Sequence, residues 1–240
     1  MVDRTGRVLF VLTSHDALGD TGRPTGYHME ELTAPYWRFV DAGFTAEIAS
    51  IAGGDAPMDP SSLADEPTDR PGSVQRFLDD DTARGKLSGT PAVDAVDPDG
   101  FDAVYLPGGH GTMWDFPDSA GLGRLLRHCH ARGAPVGAVC HGPAGLLAAC
   151  EEDSCPLIAG RRLNAFTDAE EERVGLARVV PFLLESRLKE LGARFEKSSP
   201  FRACVVSDGP LVTGQNPRSA RAVADKMLEI MGLHSTADAA

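Results

Sequence analysis

No apolar run in this 240-residue chain approaches the roughly 20 residues that a helix needs to cross a bilayer, which excludes a helical membrane protein. Positive charge is also scarce. The chain carries 23 Lys and Arg against 35 Asp and Glu, a formal net charge of -12, and so acidic a chain offers a phosphate backbone no basic surface. Nucleic acid is therefore set aside as a partner. Cysteine is sparse and irregular: five residues, an odd number, make no disulfide framework and fit a reducing compartment. The stretch Val8-Leu9-Phe10-Val11-Leu12 is too short for a signal h-region and turns polar at once. A cytoplasmic location is the expectation.

What is present alternates strand and helix. Arg7–Leu12 reads as a buried strand that opens into Thr13-Ser14-His15-Asp16, and a helical pattern ends at Gly43, with Pro35 obscuring its start. Residues 44–50 alternate apolar and polar as a second strand. Residues 53–100, rich in Pro, Asp, Gly and Ser, hold one helix around 73–84 and enough apolar anchors (Phe77, Leu78, Leu87, Val93) to read as an ordered lid. Residues 101–106 form a strand ending in Pro107-Gly108-Gly109-His110-Gly111, residues 122–132 a helix, residues 135–139 a strand, and Gly142–Ala149 a helix.

Beyond Cys150, residues 160–165 make a possible strand, and Thr167 or Asp168 caps an acidic turn. Pro181 starts a helix running to Gly192. Residues 203–207 and 211–213 flank Asp208-Gly209-Pro210 as a hairpin. A last helix runs from Asn216-Pro217 to Met231, and residues 234–240 are a frayed tail. The pattern predicts one α/β domain over residues 1–233, a mainly parallel sheet with helices on both faces and its site at the carboxyl ends of the strands.

Three loops then meet at one sheet edge: those carrying Glu30 and Glu31, Gly108 to Gly111, and Cys140 with His141. An average cysteine is a small buried hydrophobe. Cys140 differs because it ends a strand and begins a helix, where amides and macrodipole favour a thiolate. Ala138 and Gly142 supply the small residues that a strained strand-to-helix elbow requires. His128, Cys129 and His130 are successive on a helix and cannot converge on one ion. His110 reads as a loop histidine near the pocket, with one ligand of an adventitious metal as the alternative. Glu31 by itself reads as a solvated acid at a helix start.

Cys140-His141-Gly142, the 107–115 loop, the segment from Thr25-Gly26 to Glu31, and Thr213-Gly214-Gln215-Asn216-Pro217 together resemble the ThiJ/PfpI superfamily, and within it the heat-shock, glyoxalase III-like branch. The resemblance spans nearly the whole chain. It implies a flavodoxin-like three-layer sandwich with a small lid, a homodimer, no cofactor and no metal. It also implies a catalytic set of Cys140, His141, Glu31 and Asp168, with Glu170 and Glu171 as rivals to Asp168. Glu31 is preferred to Glu30 because it lies four residues before Pro35.

These parts specify a chemistry. A Cys140 thiolate adds to an aldehyde, backbone amides near Gly108, Gly109, His110 and His141 hold the oxyanion, and Glu31 carries a proton between adjacent carbons. Methylglyoxal would yield lactate, in the D-lactate dehydratase class, and glycated proteins are a related substrate. Adjacent residues at an elbow rarely pair as nucleophile and base, so His141 reads as an orienting or oxyanion residue. The competing readings are a cysteine peptidase or amidase, and a holdase chaperone or oxidation sensor that needs no turnover. A glutamine amidotransferase would need a base histidine well downstream, where the chain offers only His234.

Overall fold

The computed structural model describes residues 6–151 and 154–233; the expected tail at 234–240 lies outside them. Strand β1 (Arg7–Leu12) buries five of its six residues, as a strand covered on both faces must. Helix α1 (Met29–Asp41) returns the chain to β2 (Thr45–Ser50), which pairs parallel with β1 from Arg7 opposite Thr45 to Leu12 opposite Ser50. Pro35 sits inside α1 rather than at its start. Having no N–H, it leaves the Glu31 carbonyl without its helical donor.

Helices α2 (Gly72–Asp79) and α3 (Asp81–Gly85) replace the single helix expected over 73–84. The break is Asp80, whose extended backbone lets its carboxylate accept from the Ala83 N–H at 2.8 Å and cap α3. Strand β3 (Ala103–Leu106), helices α4 (Thr112–Asp115) and α5 (Ala120–Arg132), and strand β4 (Val136–Val139) follow. Ser119 caps α5 at its start and Gly133, in the left-handed region, at its end.

After β4, residues Gly142–Ala149 form a 3-10 helix rather than the expected α-helix. Next come β5 (Arg162–Leu163), α6 (Asp168–Arg173), α7 (Leu184–Glu190), β6 (Arg194–Phe195), the hairpin β7 (Val205–Asp208) and β8 (Leu211–Gly214), and α8 (Ala220–Ile230). Pro181 does not start α7, which begins three residues later at Leu184. The strand expected over 160–165 contracts to β5, which pairs with β6 in a sheet of its own.

The main sheet has the order β2-β1-β3-β4-β8-β7, parallel except for β7. Alternate residues of its strands feed two cores. Leu9, Val11, Val104, Leu106 and Val136 pack with α5 on one face. Val8, Phe10, Leu12, Tyr105 and Val212 pack with α1 and α8 on the other. This is the three-layer sandwich expected from the βα alternation. The strand order reverses between β1 and β3, and such a switch point leaves a crevice at the strand carboxyl ends.

The 53–100 insertion braces this crevice from the α1 side. Tyr27 donates to the Pro57 carbonyl and accepts from the Asp59 N–H, each at 2.9 Å, and the Thr25 hydroxyl donates to Asp59 at 2.8 Å. Phe77 is fully buried, edge-on to Tyr36 at 5.1 Å, and Trp37 donates to the Ser73 carbonyl at 3.1 Å. A second departure from expectation is covalent: Cys150 and Cys155 form a disulfide, where the irregular spacing and odd number of cysteines had led to none being expected.

Because Phe77 of α2 is buried against Tyr36 and Trp37 of α1, Phe77→Ala should lower stability by about 3–5 kcal/mol. Urea unfolding should show one cooperative transition at a lower midpoint. A separate early transition would mean that the insertion folds independently.

Candidate active site

Cys140 follows β4 with φ of 59°, one of two non-glycine residues with positive φ among the described residues. Its backbone is pinned on both sides: its N–H donates to the Gly214 carbonyl at 2.8 Å, and its carbonyl accepts from the Phe166 N–H at 2.8 Å. Two hydrogen bonds to different segments hold a conformation that an L-residue adopts at a cost of about 1–2 kcal/mol. Gly142 is obligatory here, since a Cβ would lie 2.2 Å from the Leu106 carbonyl oxygen.

The turn at Cys140 has a consequence for its neighbour. Sγ lies 3.3 Å from His141 Nδ1, so the two adjacent side chains do pair. This corrects the expectation that they would not, and the reason is the left-handed backbone between them. His141 Nε2 in turn lies 2.7 Å from Glu171 Oε2, and His110 Nε2 lies 2.9 Å from Glu171 Oε1.

Glu171 is therefore the carboxylate on His141, and Asp168 is not. Asp168 is the first residue of α6 and accepts from the Ser186 hydroxyl at 2.6 Å. Glu170 is committed elsewhere, closing the capping box with Thr167 and accepting from Gln215 and Asn216. Residues three apart lie on a common side of a helix, so once Thr167 and Glu170 close the box, the side chain free to face the imidazoles is the next one.

Glu31 comes from the first turn of α1 and is fully buried, while Glu30, one residue earlier, is partly exposed. Glu31 Oε2 accepts from the Gly108 N–H at 2.7 Å, and the carboxyl lies against the Cys140 thiol. The other oxygen, Oε1, is buried without a hydrogen-bond partner. Gly108 must be glycine, because a Cβ would come within 2.7 Å of Glu31 Oε2 and of the His141 N–H nitrogen. Gly109 adopts φ of 104°, with its Cα against the Gly26 carbonyl. The N–H groups of Gly109 and His141 donate to no protein acceptor among the described residues.

Burial dominates the electrostatics. It pushes the Glu31 carboxyl up to about 8, against the pull of the Cys140 and Gly108 hydrogen bonds. It also pushes the Cys140 thiol well up, reinforced by Glu31, Glu170 and Glu171. A helix-start thiolate was expected; the dry, carboxylate-lined surroundings outweigh the short 3-10 helix behind it. Glu171 behaves oppositely. Burial opposes its ionisation, but His141 and His110 outweigh that and hold its carboxyl down to about 2. His141 is lowered by burial and by His110, which keeps the imidazole neutral with Nε2–H toward Glu171 and the Nδ1 lone pair toward sulfur.

Two residues near the site were not among those expected from the sequence. Phe166 packs its ring 4.6 Å from that of His141. His28 precedes α1 three residues before Glu31, a spacing that could have singled it out, and donates its N–H to the Gly108 carbonyl at 3.0 Å.

Known proteins resemble this chain over most of its length. The model of the DJ-1/PfpI family matches residues 24–230. The chain is 31% identical over 240 residues to a probable glutathione-independent glyoxalase, hsp3103 of Schizosaccharomyces pombe, covering 88% of this chain and 92% of that protein. Its fold superposes on the crystal structure of glyoxalase III from Candida albicans with a TM-score of 0.83 at 28% identity, over 94% of this chain and 97% of that one. It superposes on the Rapid Encystment Protein of Francisella tularensis with a TM-score of 0.89 at 36% identity, over 95% and 99%.

The Glu31 shift carries a signature in stability. Its folded-state pKa lies above the unfolded value of 4.5, so between pH 4.5 and 8 the unfolded chain has released a proton that the folded chain retains. Stability from this group is full below pH 4.5 and falls as pH rises through 8. Relative to Glu31→Gln, the wild type should therefore lose a few kcal/mol between pH 5 and pH 8.5, on the order of 1.4 kcal/mol per pKa unit. Parallel urea curves for the two proteins across this range would show Glu31 to be an ordinary carboxylate.

Proposed function

The chain belongs to the DJ-1/PfpI family, and from this membership and the Cys140 pocket we propose that it is a glutathione-independent glyoxalase that converts a 2-oxoaldehyde such as methylglyoxal into the 2-hydroxy acid. The observation that carries the reading is a buried carboxyl, Glu31, held against a cysteine that is itself paired through His141 to Glu171. A thiol in the protein then does what glutathione does elsewhere, forming the hemithioacetal on which the hydrogen shift occurs.

The Cys140 thiol gives its proton to His141 Nδ1, Glu171 stabilises the resulting imidazolium, and the thiolate adds to the aldehyde carbon, C1. The alkoxide forms toward the free N–H groups of Gly109 and His141 and takes the proton of Glu31. Glu31, now a carboxylate, removes the hydrogen of C1 as a proton, while His141 protonates the ketone oxygen on C2, giving an enediol. Glu31 delivers its proton to C2 and recovers the hydroxyl proton of C1, leaving a thioester of the 2-hydroxy acid. Water then adds to C1, the C–S bond breaks, and the proton of water returns to sulfur. Glu31 begins and ends protonated, which is the role that a carboxyl pushed up to about 8 suits.

The cytoplasm and a homodimeric state belong to this reading on family resemblance. Among the described residues no helix is long and apolar enough to cross a membrane.

Purified protein supplied with methylglyoxal and no glutathione should accumulate lactate, and Cys140→Ala should abolish it. Absence of lactate from the wild type would remove the proposal. Glu31→Gln should cost about 10²- to 10⁴-fold in kcat. The two acids separate the charge partner from its neighbour: Glu171→Gln should impair turnover strongly, while Asp168→Asn, which loosens only the Ser186 contact, should retain most of it. The reverse ranking would reassign the His141 partner.

A further inference from the structure

The Glu171 carboxylate receives the same nitrogen, Nε2, from two imidazoles, at 2.9 Å from His110 and 2.7 Å from His141. Turnover uses only one of those imidazoles. The donor atoms of the three residues all lie within 4.8 Å of one another. The His110 and His141 rings are 4.2 Å apart at their centroids, tilted by 42°. Two imidazole nitrogens and one carboxylate oxygen, with a fourth position open, are the donor set that borderline divalent cations take.

Around a tetrahedral zinc ion, ligands at about 2.0–2.2 Å stand about 3.3–3.5 Å from each other. The two hydrogen-bonded pairs need to open by roughly half an ångström, a movement within reach of side-chain torsions. The walls suit a bound cation. On their side chains His141 is 1% exposed, Glu171 4% and His110 17%, so the entry lies on the His110 side. A third imidazole, that of His28, sits close enough to interact electrostatically with both, and its Nδ1 is buried without a partner.

We propose that His110 Nε2, His141 Nε2 and a Glu171 carboxylate oxygen form a binding site for a divalent transition-metal ion of the zinc type, and that occupancy switches the enzyme off. The ion takes the Nε2 lone pair of His141, so the ring proton moves to Nδ1. The group 3.3 Å from the Cys140 sulfur changes from acceptor to donor, and the thiol loses its base. The Glu171 charge is spent on the ion and no longer supports an imidazolium. The inhibitory part rests on the glyoxalase reading; the binding part does not.

The test uses chelator-stripped, untagged protein titrated with zinc chloride in a calorimeter, with the same titration on Cys140→Ala and His110→Gln. One ion per chain is expected, retained in Cys140→Ala and weakened at least about tenfold in His110→Gln. Cobalt substituted for zinc should show ligand-field bands without a thiolate-to-metal charge-transfer band, a readout that needs no variant. Lactate formation should stop at stoichiometric zinc and return with chelator. Loss of the site in Cys140→Ala with retention in His110→Gln, or a thiolate charge-transfer band, would place the metal on the cysteine and overturn the proposal, as would absence of binding. Intact binding in a protein that makes no lactate from any 2-oxoaldehyde would instead overturn the glyoxalase reading and leave the metal site standing.

Discussion

The left-handed backbone at Cys140 is the constraint on which the site depends. A residue at φ of 59° redirects the chain so sharply that Cys140 and His141, which on an extended strand would point to opposite faces, lie side by side at 3.3 Å. The conformation persists because β8 holds the amide and residue 166 holds the carbonyl. Glycine at 142 and at 108 lets the neighbouring backbone approach where any Cβ would collide. The sheet is thus more than a scaffold: the parallel register of β4 with β8, Val139 opposite Gly214, sets the hydrogen bond that fixes the nucleophile.

A second constraint is charge. The chain brings Glu31, Cys140, His141 and Glu171 into one buried volume, where separate charges are costly and shared protons are not. Glu171 settles into the ionised state because two imidazoles donate to it. Glu31 and the Cys140 thiol have a single backbone donor between them at Glu31 Oε2 and both hold their protons. The pocket therefore separates two carboxyls into two roles by environment alone, one as a fixed negative charge and the other as a neutral acid.

Much of this was legible in the sequence because periodicity and punctuation reflect burial. The apolar run 7–12, the end of the run 101–106 at Leu106, the terminators Gly43 and Gly133, and the turn at Gly209-Pro210 mark boundaries that the fold keeps, although β3 starts only at Ala103 and Asp208 closes β7. Cys140 and Glu31 stand at the strand and helix ends where the resemblance put them. What escaped were contacts between segments distant in sequence or decided by a single dihedral angle. Asp168 and Glu171 are three residues apart at one helix start, and only the direction in which that helix enters the crevice decides that Glu171 meets His141. The pairing of Cys140 with His141 needed the positive φ, which no side-chain pattern encodes for a cysteine. The Cys150–Cys155 disulfide depends on a local turn that spacing alone did not disclose. The break at Asp80 and the late start of α7 are local choices between a cap and one more helical turn, where sequence signals balance.

The central claim is that the dry pocket keeps Glu31 protonated beside the catalytic thiol. Infrared difference spectroscopy of the wild type against Glu31→Gln reads this directly, through the carbonyl band of a protonated carboxylic acid followed against pH. The account predicts that the band belongs to the wild type alone and disappears with a midpoint close to 8. A band already lost near the ordinary glutamate value of about 4.3 would contradict it, and with it the assignment of Glu31 as the proton carrier.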